Sequence, residues 1–587
     1  MFVVIVLGLS LCLATVGCRD GGKPRVRNVV LISLDTLRAD HMSSYGYNRK
    51  TSPHLDALAA RGTMFENAIS SSSWTTPAHA SFFTGLLSSE HGAAQLNQPI
   101  KPDVPMLTEY LKEAGFQTAA FITHIFVGEH LGFGRGFDTF WFRQNARADV
   151  PTDAAIQWLG IRDKKQPFFV FIHLFDPHLP YAPVESYLDD YDEFCRRERG
   201  DFSTLNKLFT PDAELRAKAL ACLIRRYDDE IHYADAQIGR LVDVLEREKL
   251  LEETLIVFLS DHGEEFLDHG SVLHAITLYQ EQLHVPLILA GGPADVIPRG
   301  KRVSGRVRTF DIVPTILDLL GIKAKHDMTA AGLTPYLRGE TNADRNSIAE
   351  TNDVGPDRMT LLQGSHKYIY APDAHVFQQY LGEEFFDLAT DPAEKHNLMT
   401  RQPAAADRVR QEMIRQGKYT WRKTWRVMWG GGGTKTGVQG TLTTPDRFTT
   451  VSKYLGFSRF DDIPDDLPVD QTLRRADFKL QRSNRQITFH ARNHAARNGF
   501  LAVPDDPYAP LLLTVEWETP AGEKRREELA LDGEVSPEKP LRAAGGLVTI
   551  YTEPILTFPN PPTEFEIGQQ EKLPGPLRKK LRALGYF

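Results

Sequence analysis

Five short runs of almost wholly apolar residues mark the first part of the chain, each bounded by polar or turn-forming residues. They are Val29–Leu34, Ala119–Ile122, Phe168–Leu174, Leu255–Leu259 and Val285–Leu289. Apolar and polar positions do not alternate within these runs, which is the pattern of strands covered on both faces. We therefore predict buried strands at these five places.

The clearest helical pattern lies between the third and fourth runs, over residues 212–249. Apolar side chains recur there at spacings of three and four residues, at Leu220, Ile224, Tyr227, Ile231, Ala234, Ile238, Leu241 and Leu245. That spacing places them on one face of a helix. Strands that alternate with helices predict an α/β fold, in which a mostly parallel sheet carries helices on both sides.

The pattern changes near residue 430. The run Gly430–Gly433 is typical of a flexible joint between domains. Beyond it, short stretches with β-like patterns, such as Gln486–Ala491 and Leu511–Trp517, are separated by Pro, Asp, Asn and Gly. We expect a β-rich accessory region after the joint.

Length and composition agree with a large folded protein. The chain has 587 residues, 42% of them hydrophobic, so we expect more than one domain and exclude a disordered protein. Lys and Arg number 68 against 76 Asp and Glu, which gives a formal net charge of −8. Because there is no basic surplus and no basic patch with interleaved aromatics, we do not expect nucleic acid as a partner.

The amino terminus has the character of an export signal. Residues Phe2 to Val16 are almost wholly apolar, and the run closes on Gly17 and Cys18. A small residue before a cysteine at that place is similar to a bacterial lipoprotein signal, in which Cys18 would be lipidated and would anchor the protein to a membrane. The alternatives are an ordinary signal peptide or an uncleaved anchor, and all three predict export to the cell envelope.

The cysteines do not form a disulfide scaffold. The chain has four, at positions 12, 18, 195 and 222. The first two lie in the predicted leader, and spacing alone does not decide whether Cys195 and Cys222 pair.

Chemically versatile residues follow the predicted strands. In open α/β sheets, ligands bind beyond the carboxyl ends of the strands. Asp35 follows the first run, where a carboxylate must be paired, hydrogen-bonded, bound to a cation or used as a helix cap. His173, Asp176 and His178 cluster at the end of the third run, His173 within it and the other two just after it.

The segment after the fourth run is the most specific of these places. Asp261 and His262 are adjacent there, and Gly263 permits the turn that lets both face one ion. Glu264, Glu265, Asp268, His269 and His274 follow. Carboxylate oxygen together with imidazole nitrogen suits a divalent cation.

Thr75 lies in a segment that predicts a short helix. Thr76 is typical of an N-cap, Pro77 of a first helical position and Gly85 of a helix exit. Thr75 would then lie beside the positive end of the helix, where an alkoxide or a bound oxyanion is stabilised. The alternative is a capped helix without a chemical role.

Over residues 25–400, these segments in this order resemble the sulfatase family within the alkaline-phosphatase superfamily. The further matching segments are Tyr227–Ile231 and Asp235–Gly239 on the long helix, Leu278–Leu287, Phe385–Pro392 with Glu394 and Asn397–Leu398, and the terminal Leu581–Tyr586. The resemblance implies an alkaline-phosphatase-like α/β/α sandwich. We predict a leader over residues 1–22, a catalytic domain over 23–345, a smaller subdomain over 346–429 and the β-rich region over 430–587.

The resemblance also implies site residues. Asp35, Asp261 and His262 would bind a divalent cation together with the hydroxyl of Thr75, which occupies the nucleophile position. His79 stands where sulfatases usually carry arginine, and His274 stands where they usually carry lysine. His178 matches a histidine that contacts the substrate oxygens.

Three departures from the family pattern bear on the chemistry. Sulfatases have Cys or Ser at the nucleophile position and oxidise it to formylglycine, which Thr75 cannot become because its β-carbon already bears a methyl group. Thr36 stands where many members have a second aspartate. His262 replaces the common asparagine, which shifts the expected ion from Ca towards Zn or Mn.

These features predict a metal-dependent hydrolase of sulfate, phosphate or phosphonate esters of a small molecule or saccharide. Thr75 would be the direct, metal-bound nucleophile, a neutral His79 would position it, and His178 or His274 would protonate the leaving group. Two alternatives remain open: a transferase that moves a phosphoryl-linked group to a cell-envelope acceptor, and a catalytically silent relative that binds carbohydrate.

Overall fold

The structure is a computed structural model. It describes residues 26–95, 98–187, 191–351, 358–371, 383–429, 438–445, 448–454, 472–474, 478–483, 485–491, 498–504, 511–519, 521–531, 541–544 and 548–557. The predicted leader with Cys18, the glycine joint and the terminal Leu581–Tyr586 lie outside these residues.

A nine-stranded sheet forms the centre of the first part of the chain, in the order β10-β2-β9-β6-β1-β5-β3-β4, with β11 paired to β2. Its strands are β1 Asn28–Leu34, β2 Gly62–Ile69, β3 Gln117–Ile122, β4 Thr139–Phe142, β5 Phe168–Leu174, β6 Thr254–Ser260, β9 His284–Gly291, β10 Lys301–Val303 and β11 Val307–Arg308. A separate pair, β7 Glu265–Phe266 and β8 Val272–Leu273, lies in the loop between β6 and β9.

All five predicted strands are confirmed, as β1, β3, β5, β6 and β9. The pairs β1–β5, β1–β6, β3–β5 and β3–β4 are parallel. Strand β9 runs antiparallel to both β6 and β2, so the sheet is mostly but not wholly parallel.

Helices cover both faces of this sheet. The helices among the described residues are α1 Pro53–Ala60, α2 Thr75–Thr84, α3 Ser88–His91, α4 Leu107–Glu113, α5 Asp149–Ile161, α6 Glu193–Arg197, α7 Phe202–Leu205, α8 Ala213–Arg247, α9 Gln280–Leu283, α10 Ile312–Leu319, α11 Thr334–Arg338 and α12 Pro403–Gly417, of which α12 packs on the second sheet described below. Helix α8 confirms the prediction for residues 212–249, and it begins after Asp212, whose carboxylate accepts from the amides of Glu214 and Leu215.

The two faces of β1 show why every position of the run is apolar. Val29 and Leu31 pack into a core with residues of α2, α4 and α10. Val30 and Ile32 pack into a second core, formed with α1, α5 and α8. Because successive side chains of a strand point to opposite faces, a strand between two helical layers needs apolar residues throughout. The predicted α/β/α sandwich is confirmed.

A second, four-stranded antiparallel sheet follows. Its strands are β12 Ser347–Thr351, β13 Arg358–Gln363, β14 His366–Tyr370 and β15 Glu384–Asp387, and α12 lies beyond them. The buried pair of Lys367 Nζ and Glu394 Oε1, 2.6 Å apart, fixes β14 against the loop that follows β15.

Two antiparallel sheets form the last part of the described chain. Their strands are β16 Thr420–Trp429, β17 Val438–Thr443, β18 Phe448–Tyr454, β19 Thr472–Arg474, β20 Phe478–Arg482, β21 Gln486–Ala491, β22 Asn498–Pro504, β23 Leu511–Glu518, β24 Lys524–Leu531, β25 Leu541–Ala543 and β26 Val548–Thr557. The predicted stretches near 486 and 511 are confirmed as β21 and β23. Strand β16 pairs with β22 and β26, so residues 420–429 pair with the β-rich region and not with the smaller subdomain in which we predicted them.

Two further features concern the cysteines and the helices. Cys195 and Cys222 form a disulfide that ties α6 to α8, which settles the pairing that the sequence left open. Among the described residues, no helix combines the length and the apolar composition needed to cross a bilayer.

Candidate active site and metal centre

Three neighbouring strand ends build the site. Strand β1 lies between β5 and β6, with Ser33 level with His173 and Leu34 level with Ser260. Asp35 and Asp261 are the residues directly after β1 and β6. Because these strands are parallel, their carboxyl ends coincide, and the side chains of Asp35, His173 and Asp261 meet at one edge of the sheet.

The potential ligands of a cation are close together and buried. One ligand atom from each of Asp35, Asp261 and His262 lies within 4.8 Å of the others. His262 Nε2 is 3.4 Å from Asp261 Oδ2 and 3.7 Å from Asp35 Oδ1. His262 Nδ1 lies 2.9 Å from the carbonyl oxygen of Gly263, which can only accept a hydrogen bond. His262 therefore carries its proton on Nδ1 and presents the Nε2 lone pair to the two carboxylates.

The electrostatics of this group fit a divalent cation. Both carboxylate oxygens of Asp35 and Oδ2 of Asp261 are buried without a hydrogen-bond partner. Burial raises the pKa of Asp35 well above its usual value, and the nearby carboxylates of Asp261 and Glu264 raise it further. Burial also raises the pKa of Asp261. Buried carboxylate oxygens without donors are costly, and a divalent cation between Asp35 and Asp261 Oδ2 would remove that cost.

The turn after β1 shapes the site without contributing an anion. Thr36 has a positive φ of 59°, an uncommon conformation for a β-branched residue. In that conformation its amide donates to Asp261 Oδ1 at 3.2 Å, and the amide of His262 donates to the same oxygen at 2.9 Å. These two bonds fix one oxygen of Asp261 and leave Oδ2 facing the site.

Thr75 reaches the ligand group from the other side. Its Oγ1 is 3.4 Å from His262 Nε2. Helix α2 begins at Thr75 with Trp74 as the N-cap, so the predictions of Thr76 as N-cap and Pro77 as first helical residue are wrong. The Thr76 hydroxyl donates to the carbonyl of Phe126 at 2.8 Å and so is not a cap. Pro77 occupies the third helical position, where an amide would have no helical partner anyway.

His79 lies one turn further along α2. Its Nδ1 is 2.8 Å from the Thr75 carbonyl oxygen and 3.4 Å from Asp261 Oδ2. Burial lowers the pKa of His79 well below its usual value, and the nearby His173 lowers it further. A neutral His79 that donates from Nδ1 holds the first turn of the helix that carries Thr75.

His178 and His274 lie together above the ligand group. Their ring centroids are 4.9 Å apart, and the His274 ring is 4.4 Å from that of His262. His178 Nδ1 donates to the Leu179 carbonyl at 2.7 Å. Burial lowers the pKa of His178 well below its usual value, with His274 as the next cause.

The loop that carries His274 is held in an unusual conformation. Leu273 and Ala275, on either side of His274, have positive φ values of 69° and 74°. The amide of Ala275 donates to the carbonyl of Ser73 at 2.8 Å, which ties this loop to the segment before Thr75. Strained backbone of this kind occurs where a structure must aim a functional side chain.

Sequence reasoning missed three contributors. Glu264 is fully buried with Oε1 2.9 Å from His274 Nδ1, and its position two residues after His262 was the signal that could have identified it. His173 was noticed but given no role, and its Nε2 lies 3.4 Å from Asp35 Oδ2. The ring of His124 stacks on Phe175 with centroids 5.3 Å apart. No local signal identifies His124, because its place depends on where β3 pairs.

The comparisons with known proteins agree with this geometry. Residues 27–322 match the sequence model of the family described as Sulfatase. The chain is 25% identical over 480 residues to the N-acetylglucosamine-6-O-sulfatase of Bacteroides thetaiotaomicron, which covers 66% of this chain and 85% of that protein.

Solved structures show the same fold. The phosphonate monoester hydrolase of Agrobacterium radiobacter superposes with a TM-score of 0.54 at 20% identity, covering 66% of this chain and 95% of that one. A protein solved in complex with its substrate D-glucosamine-2-N,6-O-disulfate superposes with a TM-score of 0.56 at 21% identity. The match covers 67% of this chain and 98% of that one. The sandwich described above is therefore the alkaline-phosphatase-like fold.

Proposed function

The chain belongs to the sulfatase family, whose members are ester hydrolases, and we propose that it hydrolyses phosphate-diester, phosphonate or sulfate esters of a small molecule or saccharide with Thr75 as an unmodified nucleophile. The observation that carries the proposal is the position of Thr75 Oγ1, 3.4 Å from His262 Nε2 at the edge of the ligand group. The activities of two similar proteins, a sulfatase and a phosphonate monoester hydrolase, support the same reaction class.

Asp35, Asp261 and His262 would hold the divalent cation, together with the Thr75 hydroxyl. When bound, the cation supplies positive charge that lowers the pKa of a neighbouring hydroxyl and polarises the ester. The chain's own residues orient the ligand atoms and the nucleophile. His262 keeps its Nε2 lone pair towards the carboxylates through the Gly263 contact, and the first turn of α2 places Thr75 Oγ beside them.

In the first step, Thr75 Oγ attacks the sulfur or phosphorus and its proton passes to solvent. The bond to the leaving oxygen breaks, and that oxygen takes a proton from a histidine. In the second step, water attacks the same atom, the histidine takes back a proton, and Thr75 Oγ leaves and is protonated again. The sum is one ester and one water converted into an acid and an alcohol.

His274 is the better candidate for the proton donor. The carboxylate of Glu264 lies beside its Nδ1 and stabilises the protonated ring. His178 instead donates from Nδ1 to a neutral carbonyl, and burial keeps it uncharged. We assign His178 to the substrate oxygens and His274 to the leaving group.

The nucleophile sets the expected substrate preference. A formylglycine hydrate can expel sulfate by collapsing to the aldehyde, whereas a threonine ester must wait for water to attack sulfur or phosphorus. We therefore expect phosphodiester or phosphonate turnover to equal or exceed sulfate turnover.

The experiment assays the purified protein against bis(4-nitrophenyl) phosphate, a 4-nitrophenyl phosphonate and 4-nitrophenyl sulfate, each with Zn, Mn and Ca, beside Thr75→Ala. Turnover that depends on Thr75 supports the proposal. Addition of glycerol distinguishes a transferase, because glycerol would then compete with water for the threonine ester. If no ester is turned over by protein that binds metal, the silent relative replaces the hydrolase.

We also propose that the protein is exported and anchored through Cys18. The Cys195–Cys222 disulfide supports an oxidising compartment, because such bonds are rare in the bacterial cytosol. Stable anchoring needs more than one acyl chain, as a modified amino-terminal cysteine would supply. In cell fractionation the native protein should sediment with membranes and Cys18→Ser should not. Native protein recovered as a freely soluble species would contradict the anchor.

A further inference from the structure

The two oxygens of the Asp35 carboxylate face different nitrogens. Oδ1 lies 3.7 Å from Nε2 of His262, and Oδ2 lies 3.4 Å from Nε2 of His173. Both oxygens and the His173 nitrogen are buried, and none of the three has a hydrogen-bond partner. The first pair belongs to the ligand group described above, and the second pair needs its own explanation.

Thr123 fixes the tautomer of His173. The Thr123 hydroxyl donates its single proton to the carbonyl oxygen of His173 at 2.8 Å. Thr123 Oγ1 also lies 2.8 Å from His173 Nδ1. Because the hydroxyl proton is committed to the carbonyl, Oγ1 can only accept a hydrogen bond from Nδ1. His173 is therefore protonated on Nδ1, and the atom that faces Asp35 is a bare Nε2 lone pair.

A lone-pair nitrogen and a carboxylate oxygen face each other across this gap. They repel and both are buried, so the arrangement needs a proton or a metal cation between them. The 3.4 Å separation is longer than an ordinary hydrogen bond and favours the cation. The gap has the right size for a cation. Two ligands with bonds of about 2.1 Å at a tetrahedral angle lie about 3.4 Å apart.

One ion does not satisfy all of these atoms. Among the described residues, the group of potential ligands within 4.8 Å of one another consists of Asp35, Asp261 and His262, and His173 is not part of it. Ligands on opposite sides of one ion with such bonds are only about 4.2 Å apart. The His173 nitrogen therefore serves a second position, on the Oδ2 side of Asp35.

We propose that Asp35 bridges two divalent cations, the second held by its Oδ2 and by Nε2 of His173, with water or substrate oxygens as further ligands. Mixed oxygen and imidazole donors select an ion such as Zn or Mn. A carboxylate bridge suits the spacing of about 3.5–4 Å seen in two-metal centres that act on phosphate esters. The proposal rests on the proposed function for its first cation and extends that centre to a pair.

The test is a metal count on the purified protein. The protein is stripped with a chelator, reloaded with Zn or Co and analysed for bound metal per chain. The native protein should bind two ions and His173→Gln one. The exposed histidine variant His54→Ala is the control and should still bind two. In the Co-loaded native protein, the visible absorption of the second ion should appear in titration and be absent from His173→Gln.

A gentler variant keeps the proposal testable if His173→Gln does not fold, as judged by circular dichroism. Thr123→Val removes only the hydroxyl that orients His173, and it should weaken the second ion roughly 10- to 100-fold while the first stays bound. Native protein that saturates at one ion, or a His173→Gln variant that keeps two, overturns the proposal. If the native protein binds one ion and its turnover depends on Thr75, only the second cation is overturned. If it binds two ions and turns over no ester, only the proposed hydrolase activity is overturned.

Discussion

The Nδ1 atom of His274 lies 2.9 Å from Oε1 of the fully buried Glu264. The other oxygen of Glu264 accepts a hydrogen bond from the Tyr181 hydroxyl at 3.0 Å. Tyr181 thus fixes the carboxylate of Glu264, and the carboxylate orients the ring of His274. His274 Nδ1 is therefore committed to Glu264, and its ring lies against that of His262, with centroids 4.4 Å apart.

The first prediction concerns Glu264 as a positioning residue for His274. Glu264→Gln should lower kcat roughly tenfold or more for esters with poor leaving groups, which need the proton most. For esters of 4-nitrophenol, which is a good leaving group, kcat should fall much less. The exposed Glu252→Gln serves as control. An equal loss for all leaving groups, together with lost metal, would mean that Glu264 only supports the fold.

The second prediction concerns Thr75. Thr75→Ala should lower kcat by roughly 10³-fold or more, because nucleophile and ligand group act as a unit. Thr75→Ser should keep much of the activity, since only a methyl group is lost. The measurement is kcat of the native protein, Thr75→Ala and Thr75→Ser on one phosphodiester. Near-native turnover by Thr75→Ala, or mass spectrometry that places the covalent intermediate on Ser73, would falsify this role.

The third prediction concerns the first cation. Asp261→Ala should lose most bound metal and activity while the sandwich stays folded, because Oδ2 is aimed at the ligand group and makes no hydrogen bond. The exposed Asp243→Ala is the matched control and should bind metal normally. The measurement is metal content per chain after dialysis, beside circular dichroism. Full metal content in Asp261→Ala would refute its place as a ligand.

The fourth prediction concerns the disulfide. Cys195 and Cys222 are 27 residues apart, and closing a loop of that size restricts the unfolded chain by about 3–4 kcal/mol in the chain-entropy account. Cys195→Ala with Cys222→Ala should therefore unfold at lower urea than the native protein. Reducing agent should destabilise the native protein but leave the double variant unchanged. A double variant as stable as the oxidised native protein would contradict the prediction.

The fifth prediction concerns pH and Glu350. Burial raises the pKa of Glu350 to about 7, even though Ser89 and the Tyr419 hydroxyl donate to its carboxylate and lower it. The nearby Glu90 raises it as well. A carboxyl whose folded pKa is raised contributes stability below its unfolded pKa and loses that contribution as the pH rises through about 7.

The free energy of unfolding should therefore fall between pH 5 and pH 8 more steeply for the native protein than for Glu350→Gln. Urea unfolding at both pH values measures the two slopes. The exposed Glu340→Gln should keep the native slope. Equal slopes for native protein and Glu350→Gln would mean that Glu350 does not titrate in this range.

The sequence by itself determined the strands and the residues that follow them. A strand between two helical layers must be apolar on both faces, and a continuous apolar run such as Val29–Leu34 therefore predicts such a strand. The long helix could be predicted for the same reason, from the spacing of one apolar face. Asp35 and Asp261 could be predicted as site residues because a carboxylate directly after a buried strand needs an ion pair, a hydrogen bond, a cation or a helix to cap.

Only the tertiary structure decided which of these residues meet. Strand β1 lies between β5 and β6, and that order of strands puts His173 against Asp35. The partner of Glu264, the pairing of Cys195 with Cys222 and the start of α2 at Thr75 likewise depend on distant segments. Local patterns encode burial, which acts residue by residue. Contacts between residues far apart in sequence follow from how the whole chain packs, and no short stretch of sequence carries that information.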